Sequence, residues 1–393
     1  MQLELVKADT DVSGTAVTLS WSDGLQSRFH AIWLRDNAQE SHTRSPGNGQ
    51  RLITLADIPA DLRLATADVV DGDLSVQFAP CGTSSVYAAS WLRTFDYDRD
   101  PRHVGPQLPA GMAVFDANLS LDDVSSSFEE ISASDQALKA WLQCVVTYGF
   151  ARLTGCPKAS GSLLEVVDLF GYVRETNYGK WFEVRSKPQP DNLAYTSAGL
   201  QAHTDNPYRD PVPTLQLLYC LENAATGGES QVVNGFRAAM QLYAENPEYF
   251  ELLSRYCVNF EFRGQAGTAL YSSMPMIELR GERELRCIRY NNRSAAAITD
   301  VPFKHMEKFY ATYRRLGEII DDSENQLQFK LDPGECFIVD NSRVLHARSA
   351  FELKATDSSD SSSSTGRWLQ GCYPDRDGLL SMISVLEERT SAR

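Results

Sequence analysis

The stretch LQAHTDNP, at positions 200–207, decides how this chain is interpreted, because it places a histidine and a carboxylate two residues apart. On a β-strand, side chains at positions i and i+2 lie on one face, so His203 and Asp205 can bind one cation together. A second histidine, His346, follows the hydrophobic, strand-like run CFIV at positions 336–339. The sequence therefore predicts a metal site formed by His203, Asp205 and His346.

The types of these three ligands indicate iron. Two histidines and one carboxylate that leave one side of the ion open are typical of non-haem Fe(II) oxygenases. A His-x-Asp pair also occurs by chance in many chains, so the interpretation depends on the distant histidine as well. An oxygenase that uses 2-oxoglutarate needs a buried cation for the far carboxylate of that cosubstrate, and arginine binds carboxylates with two hydrogen bonds. Arg367, which begins an apolar strand after His346, is the candidate, although a strand-end arginine can also be purely structural.

The composition argues against several classes of protein. The chain has 393 residues, of which 42% are hydrophobic and 23% charged, so it can bury a large core. Its net charge of −15 disfavours nucleic acids and anionic membranes as partners. Acidic residues interrupt the N-terminus and no run approaches the length of a membrane span, so we expect a cytoplasmic protein. The cysteines include no CxxC pair, which argues against a zinc cluster or a disulfide scaffold.

Secondary-structure patterns divide the chain into two domains. Residues 1–97 contain short alternating runs, at 16–21, 27–34 and 85–92, and predict a small all-β domain. The Pro-, Arg- and Asp-rich residues that follow predict a linker over 98–125. Residues 126–393 combine many strands with a few outer helices, which predicts a mainly β sandwich or barrel of the α+β class.

Two segments of the second domain have distinctive patterns. One is a helix that Ser134 caps and Gly149 ends, with the apolar stripe Leu138, Trp141, Leu142 and Val145. The other is the serine-rich segment 357–365, which has no apolar residue and predicts a mobile surface loop.

Seven short blocks occur in the order found in one enzyme family. They are GxW at 179–181, NLAYT at 192–196, LxxHTDxP at 200–207, LQLLxC at 215–220, ATGGxS at 225–230, DNxRVLH at 340–346 and GCYxDRD at 371–377. With these blocks the chain resembles the γ-butyrobetaine and trimethyllysine hydroxylases, which are oxygenases of the wider taurine-dioxygenase group. The similarity includes WLRDN at 33–37 and so covers almost the whole chain.

The resemblance implies a fold, a set of cofactors and a reaction. The implied fold is a double-stranded β-helix (jelly-roll) catalytic core with flanking helices, often in a homodimer. The implied ligands of Fe(II) are His203, Asp205 and His346, and 2-oxoglutarate is held by Arg367 with Leu217 and Ser230 nearby. The implied reaction is a hydroxylation that consumes O2 and releases succinate and CO2, with ascorbate as reductant in vitro. Such a cofactor supplies the C–H chemistry that side chains cannot.

The resemblance also implies a cage of aromatic rings for a trimethylammonium group. The family positions of this cage are Tyr178, Trp181, Tyr195 and Tyr373. A quaternary ammonium cannot donate hydrogen bonds, so ring faces are its natural partners, at about 0.5–2 kcal/mol per contact. The ordinary alternative is that these are core aromatics. With the cage, the partner of the protein is a small zwitterionic molecule.

One departure from the family concerns zinc. In many relatives the stretch after WLRDN supplies three cysteines to a structural zinc ion, and a later histidine completes the site. Here residues 38–43 read AQESHT, and no histidine occurs from Thr43 through Arg102. The N-terminal domain therefore lacks the zinc ligands, and we expect no structural zinc.

A second departure lies at the position that binds the acidic end of the substrate. The resemblance implies that Asn192 and Asn292 bind this end, and here Arg293 and a serine follow Asn292. An added arginine suits a phosphonate, which carries more oxygens and charge than a carboxylate, although a single arginine commonly faces solvent. γ-Butyrobetaine and 2-(trimethylammonio)ethylphosphonate therefore remain equal candidates for the substrate.

Three alternatives remain beside this interpretation. A trimethyllysine hydroxylase would need an acidic partner for the additional amino group of its substrate, and the sequence identifies none. A non-catalytic trimethylammonium-binding protein would be expected to lack a ligand, whereas His203, Asp205, His346 and Arg367 are all present. A cupin-like module would leave the aromatic set without a role.

Overall fold

The computed structural model describes residues 4–46, 50–98, 105–185, 197–265, 267–352 and 366–391. Contacts between residues divide the chain into two units, Met1–His103 and Val104–Arg393. Residues 105–125 fall within the predicted linker, yet Phe115 and Val124 are buried in the core of the second unit.

The first unit contains two small antiparallel sheets. The strands are β1 (Leu5–Thr10), β2 (Ala16–Trp21), β3 (Gln26–His30), β4 (Arg63–Val70), β5 (Asp73–Ala79) and β6 (Ser84–Tyr87). They pair in the orders β1-β2-β3 and β4-β5-β6. Both sheets contribute to one apolar core, because alternate residues along β2 and β5 are buried.

Two of the strands predicted for this unit end earlier than expected. The run predicted as a strand over 27–34 leaves the sheet at His30 and continues as helix α1 (Ala31–Asp36), in which Ala31 and Leu34 are buried. The run over 85–92 likewise turns into helix α2 (Ala89–Thr94). Both predictions were wrong at their C-terminal ends. In α1 the buried residues Ala31 and Leu34 are three apart, which is a helical spacing, and in α2 Leu92 is the buried residue.

The second unit is built on two facing sheets. Its strands are β7 (Ser125–Ser127), β8 (Phe150–Thr154), β9 (Phe182–Arg185), β10 (Leu200–His203), β11 (Leu215–Asn223), β12 (Thr226–Gly227), β13 (Ser230–Asn234), β14 (Cys257–Gln265), β15 (Thr268–Pro275), β16 (Ile277–Arg280), β17 (Glu284–Ile288), β18 (Gln326–Phe329), β19 (Glu335–Asp340), β20 (Val344–Arg348), β21 (Phe351–Glu352) and β22 (Arg367–Cys372). The large sheet has the order β7-β8-β19-β11-β22-β9 and the small sheet β10-β20-β13-β18. Apolar side chains from both sheets meet in one buried cluster, as in a jelly roll.

Helices cover the outer faces of the two sheets. They are α3 (Phe128–Ala133), α4 (Asp135–Tyr148), α5 (Leu163–Asp168), α6 (Gly235–Glu245), α7 (Pro247–Arg255), α8 (Phe303–Asp321) and α9 (Arg376–Ser391). Helices α4, α5 and α9 contribute to a cluster with the large sheet, and α6, α7 and α8 to a cluster with the small sheet. This arrangement is the predicted mainly β, jelly-roll core with flanking helices. In the described parts of the chain, no helix has the length and apolar character needed to cross a membrane.

Candidate metal centre and its cavity

The small sheet brings the three predicted metal ligands together. His203, on β10, pairs in register with His346 on β20, and their ring centroids are 4.4 Å apart. Asp205 lies two residues beyond His203, the last residue of β10, and its Oδ1 lies 3.4 Å from His203 Nε2 and 3.8 Å from His346 Nε2. One potential ligand atom from each residue lies within 4.8 Å of the other two. The pairing of two adjacent strands therefore produces a compact site for one cation.

Backbone and amide contacts fix two of these ligands. His203 Nδ1 lies 2.8 Å from the carbonyl oxygen of Gln201 and donates to it, which leaves Nε2 as an unprotonated ligand. The Asn341 side chain forms two hydrogen bonds with the backbone of Asp205. Its Oδ1 accepts from the Asp205 N–H at 2.6 Å, and its Nδ2 donates to the Asp205 carbonyl at 3.0 Å. The ligands are therefore held in position by the protein itself.

The electrostatic environment keeps Asp205 and His346 in the protonation states that ligate metals. Burial, followed by the neighbouring charge of His203, lowers the pKa of His346 to about 3. Burial alone would raise the pKa of Asp205, but the hydrogen bond and charge of His203 and the charge of His346 outweigh it, and the pKa is lowered. At neutral pH this gives a carboxylate and an unprotonated His346, the forms that bind metal.

The donor set fits iron. Two imidazoles and one carboxylate on one side of a site suit Fe(II), and a cavity lies on the other side. His346 Nδ1 is buried without a hydrogen-bond partner in the described residues. The candidate site can therefore bind Fe(II) and leave positions open for other molecules.

A cavity of about 420 Å³ opens on these ligands. Its size suits two small molecules side by side, and both sheets and the β14 strand contribute to its walls. The lining residues that can contact iron, cosubstrate or substrate, or that support such contacts, include Tyr178, Phe182, Asp205, Tyr208, Gln216, Leu218, Ser230, Glu261, Phe262, Asn291, Arg293, Ser294, Arg348, Arg367 and Tyr373.

One end of the cavity is basic. The guanidinium groups of Arg348 and Arg367 lie 4.9 Å and 5.1 Å from the ring centroid of Phe351, so the two cations are close together. Burial, followed by the charge of Arg367, lowers the pKa of Arg348 to about 10. Ser230 pairs in register with Arg348 and also lines the cavity. Such a group of buried cations and a hydroxyl is suited to a dicarboxylate.

Arg348 was not among the residues predicted from the sequence to line the site. It lies two residues after His346 on β20, so strand alternation gave the signal that both side chains share a face.

Another part of the cavity has an aromatic wall, formed by Tyr178, Phe182, Tyr208, Phe262 and Tyr373. The ring centroids of neighbouring members are 5.0–6.2 Å apart. The Tyr178 and Tyr208 hydroxyls are 2.9 Å apart, and Tyr208 donates to Asn206 Oδ1 at 2.5 Å. The wall is therefore held by both packing and a chain of hydrogen bonds.

Only Tyr178 and Tyr373 of this wall were predicted. Tyr208 directly follows the block that contains His203 and Asp205, which was an available signal. Phe182 and Phe262 come from β9 and β14, and no local pattern links those segments to the metal ligands.

A loop after β17 brings polar groups to the cavity. Asn291 is buried and fixes the loop, because its Oδ1 accepts hydrogen bonds from the N–H groups of Arg293 and Ser294 at 3.1 and 3.3 Å. Arg293 is exposed over much of its surface. Loss of hydration around its guanidinium nevertheless lowers the pKa of Arg293, and the negative charge of Asp205 partly opposes this shift. Ser294 Oγ is buried without a partner in the described residues. This loop therefore offers a cation and a hydroxyl to a molecule in the cavity.

Three predicted site residues lie away from the cavity lining. Asn292 is exposed and bonds to Gln201 and Tyr313 instead. Leu217 lies on the outer face of β11 in the cluster under the helices, and Leu218 has the cavity position. Trp181 packs against the same cluster.

Some predictions fall outside the described residues. Asn192 and Tyr195 lie within 186–196, and the serine-rich segment 357–365 lies within 353–365. Their predicted roles stay predictions.

Two family descriptions match the chain. Residues 115–373 match the taurine catabolism dioxygenase TauD, TfdA family. Residues 9–93 match the N-terminal region of γ-butyrobetaine hydroxylase-like proteins. Together the two matches extend across both units of the chain.

Individual proteins are similar over nearly their full length. A γ-butyrobetaine dioxygenase from Pseudomonas sp. (strain AK-1) is 35% identical, with 98% of this chain and 96% of that protein covered. The γ-butyrobetaine dioxygenase of Homo sapiens is 27% identical, with 99% of each covered. A trimethyllysine dioxygenase from Meyerozyma guilliermondii is also 27% identical, with 98% of this chain and 96% of that protein covered.

Proposed function

Because this chain belongs to the TauD/TfdA family of Fe(II)- and 2-oxoglutarate-dependent dioxygenases, we propose that it hydroxylates a small acid carrying a trimethylammonium group. The observation that carries the proposal is a single cavity that combines the metal ligands, a basic end and an aromatic wall. The names of the relatives support the same class of substrate, since they act on γ-butyrobetaine and trimethyllysine.

The residues have separate tasks in this proposal. When bound, iron and 2-oxoglutarate supply the oxidation of an unactivated C–H bond, which no side chain can perform. His203, Asp205 and His346 hold the iron. Arg367, with Ser230, holds the far carboxylate of 2-oxoglutarate, and the buried position of Arg367 strengthens that ion pair. The protein thereby orders the cosubstrate next to the metal.

The aromatic wall binds the trimethylammonium group. Its methyl groups cannot donate ordinary hydrogen bonds, so the ring faces of Tyr178, Tyr208 and Phe262 provide the attraction. Burial of the methyl groups against these rings also excludes water from the cavity. The wall thereby fixes one end of the substrate and, with it, the carbon presented to the metal. Tyr195, which lies outside the described residues, remains a proposed member of the cage, whereas Trp181 packs away from the cavity.

The loop that carries Arg293 and Ser294 binds the acidic end. Arginine can donate two parallel hydrogen bonds, and Ser294 Oγ, without a partner in the described residues, can donate another. A carboxylate uses two oxygens and a phosphonate three, so a set with three donors favours the phosphonate. Asn192, which lies outside the described residues, remains a proposed contributor to this end, whereas the side chain of Asn292 bonds to Gln201 and Tyr313 outside the cavity. We therefore rank 2-(trimethylammonio)ethylphosphonate ahead of γ-butyrobetaine.

A trimethyllysine substrate is the second candidate, and one residue favours it. Glu261 lines the cavity and could pair with the additional amino group of that substrate. Its carboxylate already forms an ion pair with Arg263, which reduces the charge available to a ligand. Three further arginines of the lining, Arg293, Arg348 and Arg367, also disfavour an additional cation.

The test is succinate release from 2-oxoglutarate with Fe(II) and ascorbate, measured for γ-butyrobetaine, 2-(trimethylammonio)ethylphosphonate and trimethyllysine. We expect strong stimulation by the phosphonate, and Arg293→Gln should weaken it more than it weakens the use of γ-butyrobetaine. Glu261→Gln is the matched variant, since it should impair only a reaction with trimethyllysine. Absence of stimulation by all three compounds would contradict the proposal.

A further inference from the structure

The two carboxylate oxygens of Asp205 have different surroundings. Oδ1 lies beside the two imidazoles, 3.4 Å from His203 Nε2 and 3.8 Å from His346 Nε2. Oδ2 instead accepts two hydrogen bonds, one from Gln216 Nε2 and one from the Tyr373 hydroxyl at 2.8 Å. We propose that Gln216 and Tyr373 are positioning residues that hold Oδ2 and leave only Oδ1 to ligate the metal.

The position of Gln216 supports a dedicated role. It lies on β11, where its neighbours Leu215 and Leu217 are fully buried, and its own exposed fraction is 2%. A buried amide in an apolar strand is costly unless its hydrogen bonds are made. The amide nitrogen, not the oxygen, must face Asp205, because two oxygens at this separation would repel each other. The bond to the metal ligand is therefore what compensates for burying this side chain.

Gln216 also lines the cavity. Its Oε1 is buried and has no hydrogen-bond partner in the described residues, so the bond from Nε2 to Asp205 is the polar contact that the structure shows for this side chain. Gln216 therefore links the metal ligand to the wall of the cavity. An apolar residue of similar size would fill the space without making the bond to Asp205.

Tyr373 connects the ligand to the aromatic wall. Its hydroxyl is used by Asp205, while its ring packs against Phe182 with centroids 5.2 Å apart. The phenol cannot donate to a second acceptor while it donates to Oδ2. Tyr373, predicted from the sequence only as a cage residue, thus has a second task at the metal ligand.

The consequence is control of the coordination number. A carboxylate can bind a cation through one or both oxygens, and the second mode occupies an additional position. With Oδ2 held by two donors, Asp205 occupies one position and more of the metal remains open to cosubstrate and O2. Contacts of this kind around a ligand typically contribute about 10- to 100-fold to metal affinity or activity.

The inference rests on the iron site and not on the identity of the substrate, so it can be tested without one. Gln216→Leu removes the amide bond to Asp205, and Tyr373→Phe removes only the hydroxyl. The matched controls are Gln370→Leu and Tyr219→Phe. They alter buried residues of the same large sheet whose side chains bond to Ser160 and Glu183 and to the Pro157 carbonyl, not to a metal ligand.

The measurements are Fe(II) affinity without oxygen and the visible absorption spectrum of the Co(II)-substituted protein, which reports coordination geometry. We expect Gln216→Leu and Tyr373→Phe to weaken Fe(II) binding about 10- to 100-fold and to change the Co(II) spectrum, with both controls unchanged. Gln216→Asn, whose amide is too short to reach Asp205, should behave like Gln216→Leu.

Wild-type affinity and a wild-type spectrum in Gln216→Leu and Tyr373→Phe would overturn the proposal. Equal changes in the controls would also overturn it, because they would show general loosening of the sheet. A failure of the trimethylammonium compounds in the succinate assay would leave these readouts unaffected, so the two proposals fail separately.

Discussion

The replacement of Gly371 by alanine tests whether the aromatic wall binds the substrate. Gly371 lies on β22 and pairs in register with Phe182 on β9. A Cβ atom at this position would lie 2.4 Å from Phe182 Cζ and 3.0 Å from Leu218 Cδ2. Both of these side chains line the cavity. The backbone of Gly371 is outside the left-handed region, so the effect of alanine comes from this contact and not from backbone strain.

The size of the effect follows from the distances. Carbon atoms in contact are separated by about 3.5–4.0 Å, so the Phe182 ring must move by about 1 Å. Overpacking of this kind destabilises a protein by about 1–3 kcal/mol. Loss or distortion of one ring contact with a cation costs about 0.5–2 kcal/mol, which corresponds to roughly 2- to 30-fold in the substrate Kd.

The assay measures two dissociation constants and one stability. We expect Gly371→Ala to raise the Kd of the trimethylammonium substrate within this range, and to leave the Kd of 2-oxoglutarate nearly unchanged. Urea unfolding gives the loss of stability. Adding Phe182→Leu removes the clashing ring atoms, so the double variant should recover stability but not substrate affinity. Wild-type stability together with a wild-type substrate Kd in Gly371→Ala would refute the reasoning.

Three further substitutions test other parts of the site. His203→Ala should abolish turnover and Fe(II) binding while the circular dichroism spectrum stays unchanged; full activity would contradict its assignment as a ligand. Tyr208→Phe removes a buried hydroxyl bonded to Tyr178 and Asn206 and should cost about 1–2 kcal/mol in urea unfolding, with weaker substrate binding; no change in either would count against the hydrogen-bonded wall. Asn341→Ala removes the hydrogen bonds to the Asp205 backbone. It should lower the free energy of unfolding by about 1–3 kcal/mol and weaken Fe(II) binding. An unaltered metal affinity would show that these two hydrogen bonds do not position the ligand.

Features that depend on neighbouring residues were accessible from the sequence. The helix predicted after Ser134 is confirmed: Ser134 caps α4, the four predicted apolar residues are buried, and Gly149 ends the helix in the left-handed conformation. The jelly-roll fold and the family are likewise confirmed. His203 and Asp205 were recognisable as candidate ligands from their spacing of two residues, although β10 ends at His203 and Asp205 lies beyond the strand.

Features that depend on how strands pair in the sheets could not be predicted from the sequence. Gln216 contacts Asp205 only because β11 lies in the large sheet opposite the small sheet that carries the histidines, and no sequence spacing encodes that approach. Leu217 and Leu218 are adjacent in sequence, so their side chains lie on opposite faces of β11. Only the observed register shows that Leu218 is the one that lines the cavity. The placement of Asn292 outside the cavity similarly follows from the hydrogen bonds of its loop to Gln201 and Tyr313.

The most direct test of the central claim is the ratio of hydroxylated product to succinate, both determined by mass spectrometry in one reaction. The reaction contains Fe(II), 2-oxoglutarate, O2 and either 2-(trimethylammonio)ethylphosphonate or γ-butyrobetaine. We expect a product that has gained one oxygen atom, formed in the same molar amount as succinate. Succinate without an oxygenated trimethylammonium product, for every compound tested, would contradict it.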